Sequence, residues 1–251
     1  MIPKVIHYCW FGKGKMPDLA LKCLESWKKY CPDYVIKEWN EDNFDLDLYP
    51  YAREAYDNRK FAFVTDVVRL YALYHEGGIY MDTDVELVNS IDKFLHHTAF
   101  SGFESEKNVP TGIMASVKGG TWVQENLDVY TNRKFVNSDG TLDLTTNVYL
   151  ITNYMLIHGL IPNNTYQDFP NLIDIDGATT VSSFAHLITI YPKEFFCPKS
   201  TRGEKEYFTK NTCAIHHFAG SWLSHSEQRK RRIKKLIPVQ ILKCLHILSR
   251  R

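Results

Sequence analysis

The sequence predicts an α/β fold built on a mixed, mainly parallel sheet flanked by helices. Three observations lead to this prediction. Strand-like and helix-like patterns alternate over residues 5–39, as in parallel strands joined by a crossover helix. A helical pattern from Phe61 then ends at a double glycine and continues into a short apolar strand. The acidic triplet Asp82-Thr83-Asp84 follows that strand directly, where ligands of such sheets bind.

Composition indicates an ordinary globular protein with a distinct carboxyl end. The chain has 251 residues, of which 44% are hydrophobic and 24% charged. We expect residues 1–224 to form one domain and residues 225–251 to form a basic, amphipathic helical tail. The net charge of +1 gives no electrostatic case for binding nucleic acid.

The cysteines and the amino terminus predict a cytoplasmic location. The six cysteines are irregularly spaced and form no C-x-x-C pair, which argues against a zinc ribbon or a disulfide framework. Free thiols in a reducing compartment are the simpler interpretation. The amino-terminal segment turns polar too early for a signal peptide, and no apolar run is long enough to span a membrane.

The amino-terminal part is expected to form a strand, a helix and a second strand. The strands are Val5–Trp10 and Tyr34–Trp39, which are rich in β-branched and aromatic residues, and the helical pattern between them stops at Pro32. If the strands are parallel, Trp10 and Asn40 stand at the edge of the candidate ligand site. Trp10 fits either the core or an exposed surface on which a nucleobase stacks.

Asp66 and Arg69 lie three residues apart on the predicted helix from Phe61 to His75 and therefore share one side of it. One interpretation is a local surface ion pair, worth less than about 1 kcal/mol. However, the surrounding segment is apolar, and charged groups are seldom buried without partners. The other interpretation is a guanidinium directed at a diphosphate and a carboxylate directed at sugar hydroxyls. The residues alone leave both open.

In an extended segment the carboxylates of Asp82 and Asp84 point the same way, because side chains alternate along a strand. Converging carboxylates suit Mg²⁺ or Mn²⁺, which keep open positions for substrate phosphates. The spacing excludes an EF-hand, which needs a third acid and a glycine in the loop. An aspartyl phosphotransferase with Asp82 as its nucleophile is an alternative, although a longer strand nearer the amino terminus is typical there.

Three later segments carry further candidates. Residues 160–183 contain prolines, asparagines and a glycine, which predicts a loop-rich region suited to acceptor contacts. A strand-like run over Thr212–Phe218 holds His216 and His217, and neutral imidazole is a good ligand for Mn²⁺. Residues 225–251 contain nine Lys and Arg and a single acid, so this tail is either a solvated terminal helix or a helix that docks on an anionic membrane surface.

Three motifs together resemble the glycosyltransferases with a DXD-containing sugar-binding region. They are IPKVIHYCWFG near the amino terminus, FVTDVVRLYALYHEGGIYMDTDVE at residues 63–86 and HHFAGSW at residues 216–222. This group includes bacterial capsular polysaccharide and lipopolysaccharide transferases and the yeast initiating mannosyltransferases, and the glucosylating domains of clostridial toxins are more distantly similar.

The resemblance implies a GT-A fold, a divalent cation (Mn²⁺ or Mg²⁺) and a nucleotide-sugar donor whose anomeric configuration is retained. It places Trp10 against the nucleobase, Asp66 on the sugar hydroxyls and Arg69 on the sugar or diphosphate. Asp82 would contact the ribose, the sugar or the metal, and Asp84 would be a metal ligand.

The resemblance also bears on the carboxyl-terminal motif. Related retaining families use a histidine in an H-x-x-G pattern, which residues 217–220 match, so the resemblance selects His217 over His216 as the metal ligand. Ser221 and Trp222 resemble the serine-x-tryptophan pair that touches the leaving phosphate in the toxins, but here the two residues are adjacent.

The sequence thus predicts a retaining, metal-dependent glycosyltransferase that moves a hexose from a nucleoside diphosphate sugar, with UDP favoured. The predicted acceptor is a glycan or a lipid-linked glycan of bacterial surface polysaccharide synthesis, reached from the inner face of the membrane. Asp66, Arg69 and Asp82 are the catalytic candidates. A non-catalytic glycan-binding protein with the same fold is the alternative from another class.

Overall fold

The strands form two sheets in the part of the chain that the structure, a computed structural model, describes: residues 1–110, 112–175, 178–199 and 206–220. The strands are β1 (Val5–Cys9), β2 (Val35–Trp39), β3 (Gly78–Met81), β4 (Val85–Leu87), β5 (Ala99–Gly102), β6 (Ile113–Ser116), β7 (Gln167–Ile175), β8 (Ala178–Tyr191) and β9 (Ala214–His216). The helices are α1 (Asp18–Tyr30), α2 (Pro50–Asp57), α3 (Phe61–Glu76), α4 (Thr121–Asp128), α5 (Asn147–Ile157) and the short α6 (Lys193–Phe196).

The larger sheet has seven strands in the order β2-β1-β3-β6-β5-β8-β7. Strand β1 pairs in parallel with β2 and β3, and β5 pairs in parallel with β8. The remaining neighbours, β3–β6, β6–β5 and β8–β7, are antiparallel. A second, two-stranded sheet joins β4 and β9 in antiparallel pairing. The prediction of an α/β fold on a mixed sheet is confirmed.

The two faces of the larger sheet pack into separate hydrophobic clusters. Successive residues of β3 alternate between them, with Ile79 and Met81 in one cluster and Tyr80 in the other, as expected for a strand buried on both faces. Buried residues of α3 lie in the cluster with Tyr80, and Trp27 of α1 lies in the opposite cluster. Helices therefore cover both faces of the sheet.

The reversal from α3 into β3 requires both glycines of the predicted double-glycine stop. Gly77 and Gly78 have positive φ values of 69° and 110°, a conformation that glycine adopts without steric cost. A Cβ atom on Gly77 would lie 2.6 Å from the backbone nitrogen of Lys118, and one on Gly78 would lie 2.7 Å from the carbonyl oxygen of Val5. This tight turn places β3 directly beside β1.

The prediction of a loop-rich region over residues 160–183 is wrong, because β7 and β8 form an antiparallel pair through most of it. Pro170 lies inside β7, and the register shifts on both sides of it. Strand β7 is at the edge of the sheet, where the missing N–H group of proline costs no ladder hydrogen bond. Proline therefore did not mark a loop here.

Within the described ranges, none of the helices has both the length and the apolar character needed to cross a bilayer. The predicted tail over residues 225–251 lies outside the described residues, as do Ser221 and Trp222. The predicted division into a domain and a tail stays a prediction.

Candidate metal and donor site

The acidic triplet forms a tight turn between β3 and β4. The backbone N–H of Asp82 donates to the carbonyl oxygen of Gly112 at 2.8 Å, and the N–H of Val85 donates to the carbonyl oxygen of Asp82 at 2.9 Å. One hydrogen bond thus connects the turn to the neighbouring chain segment, and the other closes the turn itself. Together they restrict the direction of both carboxylates.

The segment that contains β9 closes over this turn. In the β4–β9 register His216 is the partner of Val85. The backbone N–H of His217 donates to the carbonyl oxygen of Asp84 at 3.0 Å, and the N–H of Ala219 donates to Oδ2 of Asp84 at 2.6 Å. The late histidine motif and the acidic triplet are therefore parts of one site.

His216, and not the predicted His217, lies beside the two aspartates. Its Nε2 is 3.3 Å from Oδ1 of Asp84 and 3.9 Å from Oδ2 of Asp82, and the three residues offer ligand atoms within 4.8 Å of one another. His217 instead places Nε2 2.8 Å from Oε2 of Glu86. Adjacent residues at a strand end point to opposite sides, so the H-x-x-G match selected the wrong histidine for this position.

The Asp82, Asp84 and His216 side chains fit a divalent cation. Two carboxylates and an imidazole are a suitable donor set for Mn²⁺. Gly112 leaves the space open, because a Cβ atom there would lie 3.0 Å from Oδ2 of Asp82 and 3.3 Å from Cε1 of His216. The identity of the cation stays a prediction.

Asp84 and His216 shift each other's pKa values. Burial raises the pKa of Asp84, but the hydrogen bond and charge of His216 outweigh it, so the pKa lies below its usual value. Burial lowers the pKa of His216, but the hydrogen bonds of Asp84 and Cys197 and the charges of Asp84 and Asp82 outweigh this effect, so the pKa lies well above its usual value. A cation that binds Nε2 therefore competes with a proton that Asp84 stabilises on the imidazole.

Phe218 holds the imidazole from one face. The rings of His216 and Phe218 are stacked, with centroids 4.2 Å apart and planes at 27°. Phe218 has a φ of 52°, which is uncommon for a residue other than glycine and is found at sites where local strain serves function. This backbone turn brings the N–H of Ala219 back to Asp84.

Arg69 connects the helix α3 to the acidic triplet. Its Nη2 lies 3.2 Å from Oδ1 of Asp66 and 3.4 Å from Oδ1 of Asp82, and its guanidinium lies 4.6 Å from the ring centroid of Tyr80. The Tyr80 hydroxyl donates to the same Oδ1 of Asp82 at 2.9 Å. The side chains of Asp66 and Arg69 are each only 11% exposed, which excludes the surface ion pair.

Asp66 is also anchored to the start of helix α5. Its Oδ2 accepts from the backbone N–H of Asn147 at 3.2 Å, where the helix dipole favours negative charge. Burial nevertheless raises the pKa of Asp66 to about 6, against the opposing effects of Arg69 and Asn147. Protein groups thus contact both carboxylate oxygens, and the predicted contact with sugar hydroxyls stays a prediction.

Trp10 and Asn40, the two predicted strand-end residues, differ in their surroundings. Trp10 is half-buried, donates from Nε1 to the carbonyl oxygen of Gly14 at 2.6 Å, and lines a small cleft together with Asp84. The side chain of Asn40 is engaged in its own turn, since Oδ1 accepts from Asp42 and Nδ2 donates to Glu38. Trp10 therefore lies at the site, whereas the donor contact of Asn40 stays a prediction.

Glu104 is a site residue that the sequence analysis missed. Its Oε1 lies 3.9 Å from Nδ1 of His216, and burial raises its pKa. Strand β5 runs in the same direction as β3, because each is antiparallel to β6. An acid that closely follows β5 therefore reaches the same sheet edge as the triplet, but this signal depends on knowing the strand order.

Comparisons with known proteins find similarity to glycosyltransferases. Residues 17–101 match the family model of the glycosyltransferase sugar-binding region containing DXD motif. Over 122 residues the chain is 31% identical to inositol phosphoceramide mannosyltransferase 3 of Schizosaccharomyces pombe. The aligned region covers 47% of this chain and 34% of that protein. Over 232 residues it is 26% identical to an uncharacterized glycosyltransferase of Acanthamoeba polyphaga mimivirus, which covers 90% of this chain and 85% of that protein.

Residues 17–101 therefore match the family of DXD-containing glycosyltransferase sugar-binding regions, in agreement with the resemblance inferred from the motif at residues 63–86. The chain spans about a third of the length of the Schizosaccharomyces pombe relative. The PaToxG glycosyltransferase structure is similar with a TM-score of 0.43 at 21% identity, over 51% of this chain and 59% of that chain. The fold assignment depends on the strand order described above and not on this weak similarity.

Proposed function

We propose that this protein is a metal-dependent glycosyltransferase that uses a nucleoside diphosphate sugar. One observation carries the proposal: Asp82, Asp84 and His216 converge within 4.8 Å of one another, and Arg69 joins this group to the buried Asp66. The family match over residues 17–101 supports the same chemistry.

The proposed roles follow from the contacts. Oδ2 of Asp82, Oδ1 of Asp84 and Nε2 of His216 would hold the cation, which when bound supplies positive charge for the diphosphate. Arg69 would add a fixed positive charge near the leaving phosphate, where it is already oriented by carboxylates. Asp66 would orient Arg69 and contact the sugar, and Trp10 would lie beside the nucleobase.

The finer aspects of the proposal are a hexose as the transferred group, retention at the anomeric carbon and UDP as the favoured nucleotide. Mn²⁺ is the favoured cation because imidazole suits it better than Mg²⁺. The acceptor is proposed to be a glycan or a lipid-linked glycan of bacterial surface polysaccharide synthesis. The fungal relative is named for a sphingolipid acceptor and for mannose, so GDP-mannose and lipid acceptors belong in the same screen.

The test is thermal stabilisation by a panel of nucleotide sugars with Mn²⁺, followed by donor hydrolysis and transfer with the sugar that binds. We expect Asp84→Asn to reduce turnover at least a hundredfold, because the altered side chain is a cation ligand. Asp128→Asn, at an exposed position of α4, is the matched control and should retain full turnover. Undiminished turnover by folded Asp84→Asn protein would contradict the proposal.

We also propose that residues 225–251 dock on an anionic membrane surface, on the inner face of the membrane. The proposal is supported by the nine Lys and Arg in this segment, since each basic residue near an anionic surface adds about 1 kcal/mol. Truncation after Trp222 should abolish sedimentation with vesicles that contain anionic lipid and leave donor hydrolysis unchanged. Equal sedimentation of both forms would refute membrane docking.

A further inference from the structure

We propose that Glu104 is the positioning residue of the candidate metal site, because it accepts the Nδ1 proton of His216 and so presents Nε2 to the cation. This inference rests on the metal site of the proposed function. It assigns a role to a carboxylate that neither the DXD motif nor the histidine motif contains.

The first observation is an unpartnered atom. Nδ1 of His216 is buried and has no hydrogen-bond partner among the described residues, while Nε2 on the other side of the ring faces Asp84 and Asp82. A neutral imidazole carries its proton on one nitrogen and a lone pair on the other. Cation binding at Nε2 therefore requires a proton on Nδ1, and a buried N–H group requires an acceptor.

The second observation is the carboxylate that faces this atom. Oε1 of Glu104 lies 3.9 Å from Nδ1 of His216, about 1 Å beyond a normal N–H···O distance. The Glu104 side chain is only 24% exposed. In the proposed metal-bound state, the Glu104 side chain rotates to close this gap.

Hydrogen bonds to its backbone hold Glu104 in place, and these bonds do not use its carboxylate. Its backbone N–H donates to the carbonyl oxygen of Asn108 at 2.9 Å, and the thiol of Cys197 donates to its carbonyl oxygen at 3.5 Å. The Cys197 thiol also raises the pKa of His216 as a hydrogen-bonding neighbour, but sulfur is only a weak acceptor and does not meet hydrogen-bond geometry at Nδ1. Phe218 covers the ring face and offers no acceptor at all.

The arrangement is the one that orients metal-bound histidines in general. A carboxylate on the far nitrogen fixes the tautomer and the ring orientation, and its loss lowers metal affinity about 10- to 100-fold. Glu104 also adds a negative group beside Asp82 and Asp84, which favours a cation in the same place. Glu104→Gln separates these two effects, because the amide oxygen still accepts a hydrogen bond but carries no charge.

The experiment measures Mn²⁺ affinity by isothermal titration in the absence of any sugar. Glu104→Leu should weaken Mn²⁺ binding at least tenfold, whereas Glu104→Gln should weaken it less than about threefold. Glu106→Gln, at an exposed position on the same loop, is the matched control and should bind as the unchanged protein does. In the Zn²⁺-loaded protein, ¹⁵N spectra should show His216 protonated at Nδ1, and Glu104→Leu should alter this signal.

The outcomes separate this inference from the proposed function. If the unchanged protein does not bind Mn²⁺, the metal site itself is refuted. If it binds Mn²⁺ and Glu104→Leu binds equally well, only the role of Glu104 is refuted. Equal weakening by Gln and Leu would assign the effect to charge and would overturn the hydrogen-bonding role. Thermal melting in EDTA checks that each variant is folded.

Discussion

Nε2 of His216 lies 3.3 Å from Oδ1 of Asp84, although the two residues come from distant parts of the chain. The contact depends on the antiparallel pairing of β4 and β9, in which His216 is the partner of Val85. The neighbouring His217 turns to Glu86 instead. The strand register thus decides which histidine lies beside the two aspartates of the candidate metal site.

The first prediction separates the two histidines. His216→Gln should weaken Mn²⁺ binding at least tenfold, because it removes an imidazole from the donor set. His217→Gln is the matched control and should change the affinity less than about threefold, because His217 contacts Glu86 and not the cation site. Isothermal titration checks both variants, and a larger loss in His217→Gln would contradict the assignment.

The second prediction concerns the space that Gly112 leaves open. Gly112→Ala should reduce Mn²⁺ affinity and turnover at least tenfold, because its Cβ atom would lie 2.8 Å from Cγ2 of Val85 and 3.0 Å from Oδ2 of Asp82. Overpacking of this kind typically costs about 1–3 kcal/mol. Gly14→Ala is the control, since a Cβ atom there meets nothing within 4 Å. Normal Mn²⁺ affinity in Gly112→Ala would show that the backbone shifts to accommodate the added methyl group, and it would contradict this prediction.

The third prediction concerns the buried bridge formed by Arg69. Arg69→Gln should lower the free energy of unfolding by about 3–5 kcal/mol, because it leaves the carboxylates of Asp66 and Asp82 without their cationic partner. Combining it with Asp66→Asn should restore part of this loss, since one of the two stranded charges is then removed. Urea denaturation in EDTA measures the cycle, and strictly additive changes would rule out the coupling.

A surface ion pair provides the control for that cycle. Lys4 and Asp33 are 2.6 Å apart, but their side chains are 43% and 57% exposed. Solvent screens such a pair, so Lys4→Gln should leave the urea midpoint nearly unchanged. A loss comparable to that of Arg69→Gln would mean that burial is not the cause of the difference.

The fourth prediction concerns the pH dependence of stability. Burial raises the pKa of Asp66 from 3.8 to about 6 in the native protein, so the native state holds this proton more tightly than the unfolded chain does. The contribution of Asp66 to stability is therefore greatest below pH 3.8 and is lost as the pH rises to about 6, by about 3 kcal/mol in total.

Asp66→Asn isolates this effect, because the amide does not titrate. The difference in unfolding free energy between Asp66→Asn and the unchanged protein should grow in favour of the variant as the pH rises from 4 to 7. Urea denaturation at several pH values in EDTA measures this difference. A constant difference across the range would show that Asp66 titrates at its ordinary pKa in the folded protein.

The sequence predicted the parts of the site that are encoded by local pattern. Asp82 and Asp84 were selected by their spacing at a strand end, and Asp66 and Arg69 by their charge within an apolar helix. Both features involve residues a few positions apart, where the periodicity of a strand or helix settles which side chains share a side. The double glycine likewise marked the reversal at Gly77 and Gly78.

The other features of the fold and the site depend on contacts between segments that are far apart in the sequence. The pairing of β4 with β9 places His216, and not His217, beside the aspartates. The strand order places Glu104 at the same sheet edge. Because β7 is at the edge of the sheet, it continues through Pro170. Local sequence patterns carry no information on these features, because each feature depends on which strands are neighbours and on their register. The sequence by itself thus determined the acidic triplet and the charged pair on the preceding helix, because their spacing is local, whereas only the tertiary structure decided which histidine and which further carboxylate lie beside the triplet.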